Sequence, residues 1–398
     1  MADEVKEILT ERMVINFGPS HPATHGVFRN ILELDGERIL DAEVEIGFLH
    51  SGFEKLGEHR TYNQFITIAD RMNYLSPLSN DIGYALAVEK LLGIEVPPRC
   101  QYIRAIMCEL NRIADHLVSV GMHAVDIGAM TVFLYAYKQR EIIYDILEFV
   151  TGSRMNNSYP RVGGLVSDVP EGFEEKVKDF ADHFLHTVDD IERLLTRNRI
   201  WVDRNKGIGA ITPEEAISWG LTGPILRAAG VERDIRKAEP YSSYDHFDFE
   251  IPVGVRGDSY DRYLVRMEEM RQSNRIIQQA IANLPGGEVN VDDPKIILPP
   301  KERVYHSIEG LIHHFKLIME EHGFQTPKGE IYSATEVPNG ELGFFIISDG
   351  TNKPYRIHVR APSFINYSVF PQLVKGHMIS DVVAIISSLN IIAGELDR

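Results

Sequence analysis

Residues 170–195 read PEGFEEKVKDFADHFLHTVDDIERLL and carry the clearest amphipathic pattern in this 398-residue sequence. Apolar side chains recur every three or four residues, at Phe173, Val177, Phe180, Phe184, Val188, Ile191 and Leu195. That period predicts a helix with one buried face. Asp168 stands near the expected cap and Pro170 near the first turn, which are favoured residues for a helix start. The segment therefore predicts a long helix within a helical body.

Helical periodicity continues on both sides of this segment. We predict further helices over Tyr74–Leu92, Tyr102–Val120 and Ala129–Val150, after Gly257-Asp258-Ser259, over Ile308–Met319 and over Val374–Ala393. Pro97 and Pro98 separate the first two, because proline cannot donate a backbone hydrogen bond inside a helix. The last segment is strongly apolar, which predicts a buried helix.

Two shorter regions have the composition of strands. We predict strands over Met13–Phe17, Val27–Leu34 and Ile39–Phe48, and again within Glu330–Arg360. Asp35-Gly36 is a hairpin turn signal between two of them. The predicted fold class is therefore α+β and predominantly helical. An N-terminal β element precedes a long helical bundle, which is followed by a small C-terminal β element and a buried last helix.

The order of these elements suggests three sections within one integrated body. Residues 1–60 would form a β-rich N-terminal section, residues 61–325 the helical body, and residues 326–398 the small β element with the last helix. The sequence contains no internal repeat and no proline- or serine-rich linker that would separate the sections.

Composition excludes several classes of protein. The net charge of −17 argues against nonspecific nucleic-acid binding. Cys100 and Cys108 are the two cysteines of the chain, too few for a disulfide framework or for an iron–sulfur cluster with four cysteine ligands from this chain. The charged start, Met1 to Lys6, predicts no secretory signal, and no apolar run is long enough to span a membrane. We expect a protein of a reducing compartment.

Several catalytic motifs are missing from the sequence. It contains no Walker A motif, no HExxH motif and no GxSxG elbow. Gly207-Ile208-Gly209 lacks the third glycine of a dinucleotide fingerprint and no βαβ pattern surrounds it, so we interpret it as a turn. A hydrolase with a serine, cysteine or zinc nucleophile has no support.

The segment GPSHPATHG, Gly18–Gly26, places two histidines four residues apart among glycine, proline and small polar residues. Proline fixes φ and glycine permits positive φ, so a shaped loop is predicted after the first strand. Such loops often carry binding and proton-handling groups. The spacing alone equally fits a turn in which His21 and His25 only form hydrogen bonds with the backbone.

Further candidates for proton chemistry are His50, Tyr74 and Asp126. Each is weak by itself, because a single tyrosine or histidine is more often structural. With His25 they suit reduction of a quinone, which needs two electrons and two protons. A phenol and an imidazole can both donate to a carbonyl oxygen, and a carboxylate beside the imidazole favours its protonated form. No motif in the chain supplies the electrons, which would come from a neighbouring subunit.

A family resemblance extends from about residue 12 to the C-terminus. It rests on the segments Gly18–Gly26, Ile46–His50, Glu54-Lys55, Glu58–Tyr62, Asp126–Ala129, Gly220–Pro224, Asp234–Lys237, Tyr263–Ser273 and Leu389–Arg398. With these motifs the chain resembles the D subunit of the proton-pumping NADH–quinone oxidoreductases, respiratory complex I. That family is related to the large subunit of nickel–iron hydrogenases, which implies a similar fold.

The hydrogenase relationship can be tested on the sequence. Such a hydrogenase holds its metals with two CxxC pairs, one near each end of the chain. The corresponding segments here, Leu49–Gly52 and Ser387–Asn390, contain no cysteine. Without thiolate ligands, nickel and iron binding of that kind is chemically implausible. We therefore expect no metal site in this chain, and a quinone pocket in place of the metal cavity.

The resemblance implies roles for individual residues. His25 and Tyr74 match the family residues that contact the quinone headgroup, and Asp126 matches the aspartate that pairs with the histidine. His21 and His50 would support the loop and the pocket. Electrons would come from a 4Fe–4S cluster in the partner B subunit, whereas NADH would bind elsewhere in the complex, on a distant chain.

The resemblance also implies an assembly and a location. The C and I subunits and the membrane-embedded H and A subunits would be further partners, at the cytoplasmic face of the cell inner membrane, with this chain peripheral. The reaction would be proton-translocating NADH:quinone oxidoreduction in a respiratory chain, with ubiquinone or menaquinone as acceptor. Two alternatives stay open: a sister complex fed by ferredoxin or a reduced deazaflavin, and a purely structural scaffold.

Two departures from the family pattern lie close to the candidate site. Ser51 stands where the family usually has an arginine near the iron–sulfur cluster of the partner subunit. The role of that arginine in tuning the cluster is therefore in doubt for this chain. Asn73 stands where an aspartate commonly precedes the tyrosine. His25, Tyr74 and Asp126 themselves match.

Overall fold

The computed structural model describes residues 12–319 and 322–398, so the predicted absence of a secretory signal at residues 1–11 lies outside the described residues. At the N-terminal side, three antiparallel strands form one sheet in the order β1 (Arg12–Phe17), β2 (Arg29–Asp35) and β3 (Arg38–Glu45). Along β2 the side chains of Asn30, Leu32 and Leu34 are buried in alternation with less buried ones. The predicted N-terminal β element is confirmed.

The helical body follows this sheet. Its helices are α1 (Phe53–Gly57), α2 (Tyr62–Ala69), α3 (Pro77–Leu92), α4 (Pro98–Asp126), α5 (Met130–Thr151), α6 (Phe173–Leu195), α7 (Arg199–Asn205), α8 (Pro213–Ser218), α9 (Gly223–Ala228), α10 (Ile235–Ala238), α11 (Ser259–Ala282), α12 (Lys301–His306) and α13 (Ile308–Ile318). A two-stranded ribbon, β4 (Pro160–Arg161) and β5 (Gly164–Leu165), lies between α5 and α6. The 29-residue helix α4 packs against α3, α5, α11 and a C-terminal helix, which makes it the central helix of the body.

The C-terminal part begins with a second antiparallel sheet of β6 (Gly329–Val337), β7 (Gly340–Ser348) and β8 (Arg356–Arg360). Four short helices follow: α14 (Pro362–Ser368), α15 (Phe370–Val374), α16 (Asp381–Leu389) and α17 (Ala393–Asp397). Helix content dominates the described residues, and the small sheets lie near the two ends of the chain. The predicted α+β, mostly helical fold class is confirmed.

Several predicted helix boundaries were wrong. Tyr74 lies in a turn before α3, because the Asn73 side chain accepts hydrogen bonds from the backbone N–H groups of Leu75 and Ser76 at 3.1 and 3.2 Å. The N-cap position of α6 is Gly172, which has no capping side chain. Asp168 lies further from the helix and accepts a hydrogen bond from Arg99 instead. The predicted last helix over 374–393 is broken, and only α16 lies wholly inside it. Gly376 and Asn390 have positive φ, which interrupts the helical backbone.

Three hydrophobic cores within the described residues join distant parts of the sequence. Helices α4, α5, α6 and α11 share one core, and β6–β8 pack on α2 and α3 in another. In the third core, Phe28 and Leu32 of the N-terminal section pack with Val382 and Ile385 of the C-terminal one. The N-terminal strands and the C-terminal helices therefore share a core, although the division at residues 60 and 325 stays a prediction. No helix in residues 12–319 or 322–398 has the length and apolar character needed to cross a membrane.

A buried ion cluster lies where α4, α9, α10, α11 and β6 meet. It consists of Glu109, Arg112, His116, Arg227, Asp234, Arg236, Glu269 and Glu336. Arg236 contacts Glu109 at 3.0 Å and Asp234 at 2.6 Å. Each of these arginines has a carboxylate partner, which buried charges require.

Candidate functional site

The loop after β1 is shaped by its own polar side chains. The Nδ1 atom of His21 accepts a hydrogen bond from the backbone N–H of Ala23 at 3.1 Å, and this caps a single 3₁₀ turn, Pro22–Thr24. The Thr24 hydroxyl donates to the carbonyl oxygens of Pro19 and His21, both at 3.0 Å. Gly18 has a φ of 95°, and a Cβ atom there would lie 2.6 Å from the Phe28 carbonyl oxygen. This position therefore requires glycine.

His25 ends the 3₁₀ turn in the left-handed region, with φ 53° and ψ 13°. Its backbone N–H donates to the Pro22 carbonyl oxygen at 3.2 Å. This conformation turns the chain sharply and places the imidazole at a cavity, although part of the residue stays exposed to solvent. A left-handed non-glycine residue is uncommon and marks a backbone held by its surroundings.

The cavity beside His25 has a volume of about 200 Å³. Its walls come from the N-terminal loop, the turn before α3, the C-terminal half of α4, α5 and the end of α16. The lining residues are Ala23, His25, Phe28, Tyr74, Leu75, Val118, Ser119, Met122, Asp126, Tyr137, Ile386, Ser387, Asn390, Ile391 and Ile392. An apolar cavity of about 150 Å³ accommodates benzene, so this space admits one substituted six-membered ring. His25, Tyr74 and Asp126 are brought together here.

Asp126 ends α4 and faces both His25 and the end of α16. The Ser387 hydroxyl donates a hydrogen bond to its carboxylate. Burial raises the pKa of Asp126, while Ser387, His25 and His21 oppose that rise. Burial lowers the pKa of His25, and the charge of Asp126 opposes that fall. The two groups therefore influence each other's protonation.

Tyr74 lies half-buried in the wall of the same cavity. Burial raises the pKa of its hydroxyl, and the negative charge of Asp115 raises it further. The backbone N–H of Ala393, which faces the phenol oxygen, acts in the other direction. Tyr74 consequently keeps its proton at neutral pH and can donate a hydrogen bond into the cavity.

His21 and His50 lie outside the cavity lining. The His21 ring packs on Phe17 with ring centroids 4.1 Å apart and caps the 3₁₀ turn. The Nδ1 atom of His50 lies 2.6 Å from the Asp397 carbonyl oxygen, in a separate depression of about 370 Å³. His21 thus shapes the loop that carries His25, whereas His50 contacts the C-terminal residues.

The chain is also similar in sequence to proteins of known family. The family described as "Respiratory-chain NADH dehydrogenase, 49 Kd subunit" matches residues 126–398. The D subunit of NADH-quinone oxidoreductase from Geotalea uraniireducens is 55% identical over 389 residues, which cover 98% of this chain and 99% of that protein. The D subunits from Geobacter sulfurreducens and Methylacidiphilum infernorum are 53% and 52% identical, each over 98% of this chain and over 99% and 92% of their own lengths.

The chain belongs to the D-subunit family of NADH-quinone oxidoreductases. The predicted resemblance is confirmed over nearly the whole chain, and it includes the N-terminal loop and the turn at Tyr74. In this family member, Ser51 occupies the position noted above, and its hydroxyl donates to the Leu49 carbonyl oxygen at 3.3 Å.

Several cavity residues of this D-subunit family member were not foreseen from the sequence. Ser387 and Asn390 line the cavity, although their segment drew attention only through its lack of cysteine. Tyr137 of α5 also lines it. The one local signal in the sequence was that residue 390 is an asparagine, which is among the few residues that readily adopt the positive φ found here. Across the described residues, no group of three or more His, Cys, Asp or Glu side chains is placed to hold a metal ion.

Proposed function

We propose that this chain provides the quinone site of proton-translocating NADH:quinone oxidoreductase and that the quinone headgroup binds between Tyr74 and His25. The observation that carries the proposal is the convergence of Tyr74, His25 and Asp126 on one ring-sized cavity. Family membership supports it, because the relatives are named NADH-quinone oxidoreductases. Ubiquinone and menaquinone both present two carbonyl oxygens on a six-membered ring, so the chemistry suits either.

The two proton donors have different properties. The hydroxyl of Tyr74 donates a hydrogen bond to one carbonyl oxygen, and its proton follows as negative charge develops there. His25 donates to the other oxygen. Burial lowers the pKa of the imidazole overall, and Asp126 offsets part of that fall, so Asp126 increases the share of protonated imidazole that this step needs. Transfer of the proton leaves neutral His25 beside the charge of Asp126. The local electrostatics of the α4 end therefore change when quinone is reduced.

That change of charge would begin the coupling to proton translocation. Asp126 contacts Ser387 at the end of α16, so an altered charge at Asp126 acts on two helices. The electrons would come from the 4Fe–4S cluster of the partner B subunit, while NADH binds elsewhere in the complex. The C, I, H and A subunits complete the proposed surroundings, with this chain peripheral at the cytoplasmic face of the membrane.

Two alternatives make different predictions. A sister complex fed by ferredoxin or a reduced deazaflavin keeps the same cavity, but its gene neighbourhood lacks an NADH- and flavin-binding subunit. A purely structural scaffold makes no use of the cavity, so substitutions there would leave quinone kinetics unchanged.

Replacing Asp126 with asparagine is expected to lower NADH-driven quinone reduction about tenfold at neutral and alkaline pH, because His25 loses the charge that favours its protonated form. In the wild-type protein, the charge of Asp126 keeps His25 protonated up to a higher pH than burial alone would allow. The Asp126→Asn variant lacks this charge. The deficit should shrink as pH falls, since acid protonates His25 even without Asp126. The measurement is quinone reduction by the purified complex at several pH values, with the amount of this chain in the complex determined in parallel.

Asp182→Asn, on the exposed side of α6, is the matched control and should behave as wild type. Ferricyanide reduction by NADH, which bypasses the quinone site, should be unchanged in both variants. A complex with Asp126→Asn and normal quinone kinetics at every pH would contradict the assigned role of Asp126.

A further inference from the structure

The C-terminal sheet has an open edge at β6. Its strands lie in the order β6, β7 and β8, and no strand within the described residues pairs with the other side of β6. Such an edge presents unpaired N–H and C=O groups that can pair with another chain. Residues 329–334 of β6 are exposed or partly exposed, whereas residues 335–337 are buried. The accessible part of the open edge is therefore the first part of the strand.

Hydrogen bonds of β6 show which backbone groups point to this edge. The N–H of Glu336 donates to the Tyr241 hydroxyl at 3.0 Å, and the carbonyl oxygen of Tyr332 accepts from the Lys90 ammonium at 3.2 Å. Both partners lie outside the sheet, so these groups point away from β7. The pairing of β6 with β7 has no register shift. Because backbone groups of alternate residues point to opposite edges, those of Ala334 also point to the open edge.

The backbone groups of Ala334 are unpaired at this edge. Among the described residues, its N–H and its C=O form no hydrogen bond outside the sheet, and neither does the N–H of Tyr332. Tyr241 closes the edge one position further on, at Glu336. Unpaired groups on alternate residues are what a strand added to a sheet edge requires.

A depression of about 890 Å³ lies along the accessible part of the edge, and Tyr332, Ser333 and Ala334 form part of its lining. The other walls come from α3, the start of α4 and the segment between residues 233 and 246. Sites that hold ligands typically have volumes of about 300–1,000 Å³. The depression therefore offers room for a short extended segment beside β6.

Exposed carboxylates without partners give the depression an acidic character. Glu95 and Glu239 line it and are exposed, and no cation among the described residues lies at ion-pair distance from either. Asp245 also lines it, with only the His246 imidazole beside it, at 3.8 Å. Glu89, at the base, is buried and pairs with Arg104 at 2.7 Å.

The two strong cations of the depression do not balance these carboxylates. The Lys90 ammonium donates to the Tyr332 carbonyl oxygen, and Arg233 lies 4.0 Å from a further carboxylate, Glu341. An occupant with lysine or arginine side chains would therefore complement the surface. A second copy of this chain fits less well, because the chain carries a net charge of −17.

We propose that the open edge of β6 binds an extended, basic segment of a partner subunit, which adds to the sheet as a fourth strand. The N–H and C=O of Ala334 would pair with the backbone of that segment, and Glu95 and Glu239 would contact its lysine or arginine side chains. In strand addition, backbone hydrogen bonds supply affinity and side chains supply specificity. The inference concerns assembly and does not depend on the quinone chemistry at the Tyr74–His25 cavity.

The test places a photoreactive residue at the edge, as Tyr332→p-benzoylphenylalanine, in the purified complex. After illumination, mass spectrometry of the cross-linked peptide should identify one short segment of another subunit that contains lysine or arginine. Adding Ala334→Pro should lower the yield of this cross-link about tenfold, because proline lacks the N–H and its ring occupies the open edge. The hydrogen bonds between β6 and β7 do not use this N–H, and proline is tolerated on edge strands. Ala334→Ser keeps the N–H and is the matched control.

A charge-reversal variant tests the selection of a basic segment. Glu95→Lys combined with Glu239→Lys should also lower the cross-link yield, and this variant serves if Ala334→Pro does not assemble. Glu288→Lys, at an exposed position before the loop to α12, should leave the yield unchanged.

The inference would be overturned by a cross-link whose yield Ala334→Pro does not lower, since strand addition needs that edge. A cross-link to a second copy of this chain, to its residues 1–11 or to a segment without lysine and arginine would also overturn it. So would the absence of any cross-link from an assembled complex.

Discussion

Tyr74→Phe is expected to lower quinone reduction by about 100-fold, within the range that a positioned proton donor contributes. The substitution removes one hydroxyl and leaves the ring, so the cavity keeps its shape. In the proposed reaction the Tyr74 hydroxyl supplies one of the two protons, and phenylalanine has none to give. The loss should appear in kcat more than in the amount of assembled complex.

Purified wild-type complex and the complex carrying Tyr74→Phe would be compared by NADH-driven quinone reduction, by ferricyanide reduction and by content of this chain. Tyr135→Phe, at an exposed tyrosine on α5, is the matched control and should match the wild type. Ferricyanide reduction should stay normal in both variants, because it does not use the quinone. Unchanged affinity and turnover for quinone in Tyr74→Phe would refute its role as proton donor.

Glu109→Gln is expected to destabilise the fold by about 3–5 kcal/mol, the usual cost of removing one partner from a buried ion pair. Glu109 accepts from Arg236 at 3.0 Å, from Arg112 at 3.2 Å and from the Tyr244 hydroxyl at 2.6 Å. Neutral glutamine leaves two buried guanidinium groups with less compensating charge. A loss of that size is a large part of ordinary domain stability, so little of this chain should be found in assembled complexes.

Thermal denaturation of the purified complex and the yield of the chain would measure this effect. Glu192→Ala is the matched control, since Glu192 pairs with Arg271 at 2.7 Å but is partly exposed and should cost less than about 1 kcal/mol. The guanidinium groups of Arg112 and Arg236 hold the pKa of buried Glu109 at about 2. Because this folded-state pKa is depressed, the stabilisation that ionised Glu109 provides is present above the ordinary glutamate range and should be lost as pH falls towards 2.

Equal stability of the Glu109→Gln and Glu192→Ala variants would contradict the assigned role of the buried ion cluster.

Local sequence signals were sufficient for elements whose ends are set by neighbouring residues. The hairpin of β2 and β3 was predicted because Asp35-Gly36 marks its turn, and α6 because one apolar stripe repeats along it. The turn at Tyr74 was missed because its apolar neighbours continue the helical period, while the Asn73 side chain binds the backbone instead. The break at Asn390 was missed because burial makes the residues on both sides apolar.

The candidate site could be predicted only in part, because some of its residues come from distant parts of the sequence. His25, Tyr74 and Asp126 stand in recognisable motifs, so they were named from the sequence. Ser387 and Asn390 reach the same cavity through the tertiary fold, and Ser387 lies 261 residues from the Asp126 that it contacts. Single residues at such separations leave no periodic pattern, so their contribution was seen only in the structure.

Labelling of the purified complex with a photoreactive quinone analogue tests the proposed quinone site most directly. We expect the label to attach to peptides containing the cavity residues, around His25, Tyr74 or Ser387–Ile392, and excess quinone to abolish the labelling. A larger depression of about 890 Å³ lies elsewhere, lined among others by Arg233, Tyr241 and Tyr332. Quinone-protected labelling at that depression, with none at the Tyr74–His25 cavity, would contradict the proposed site.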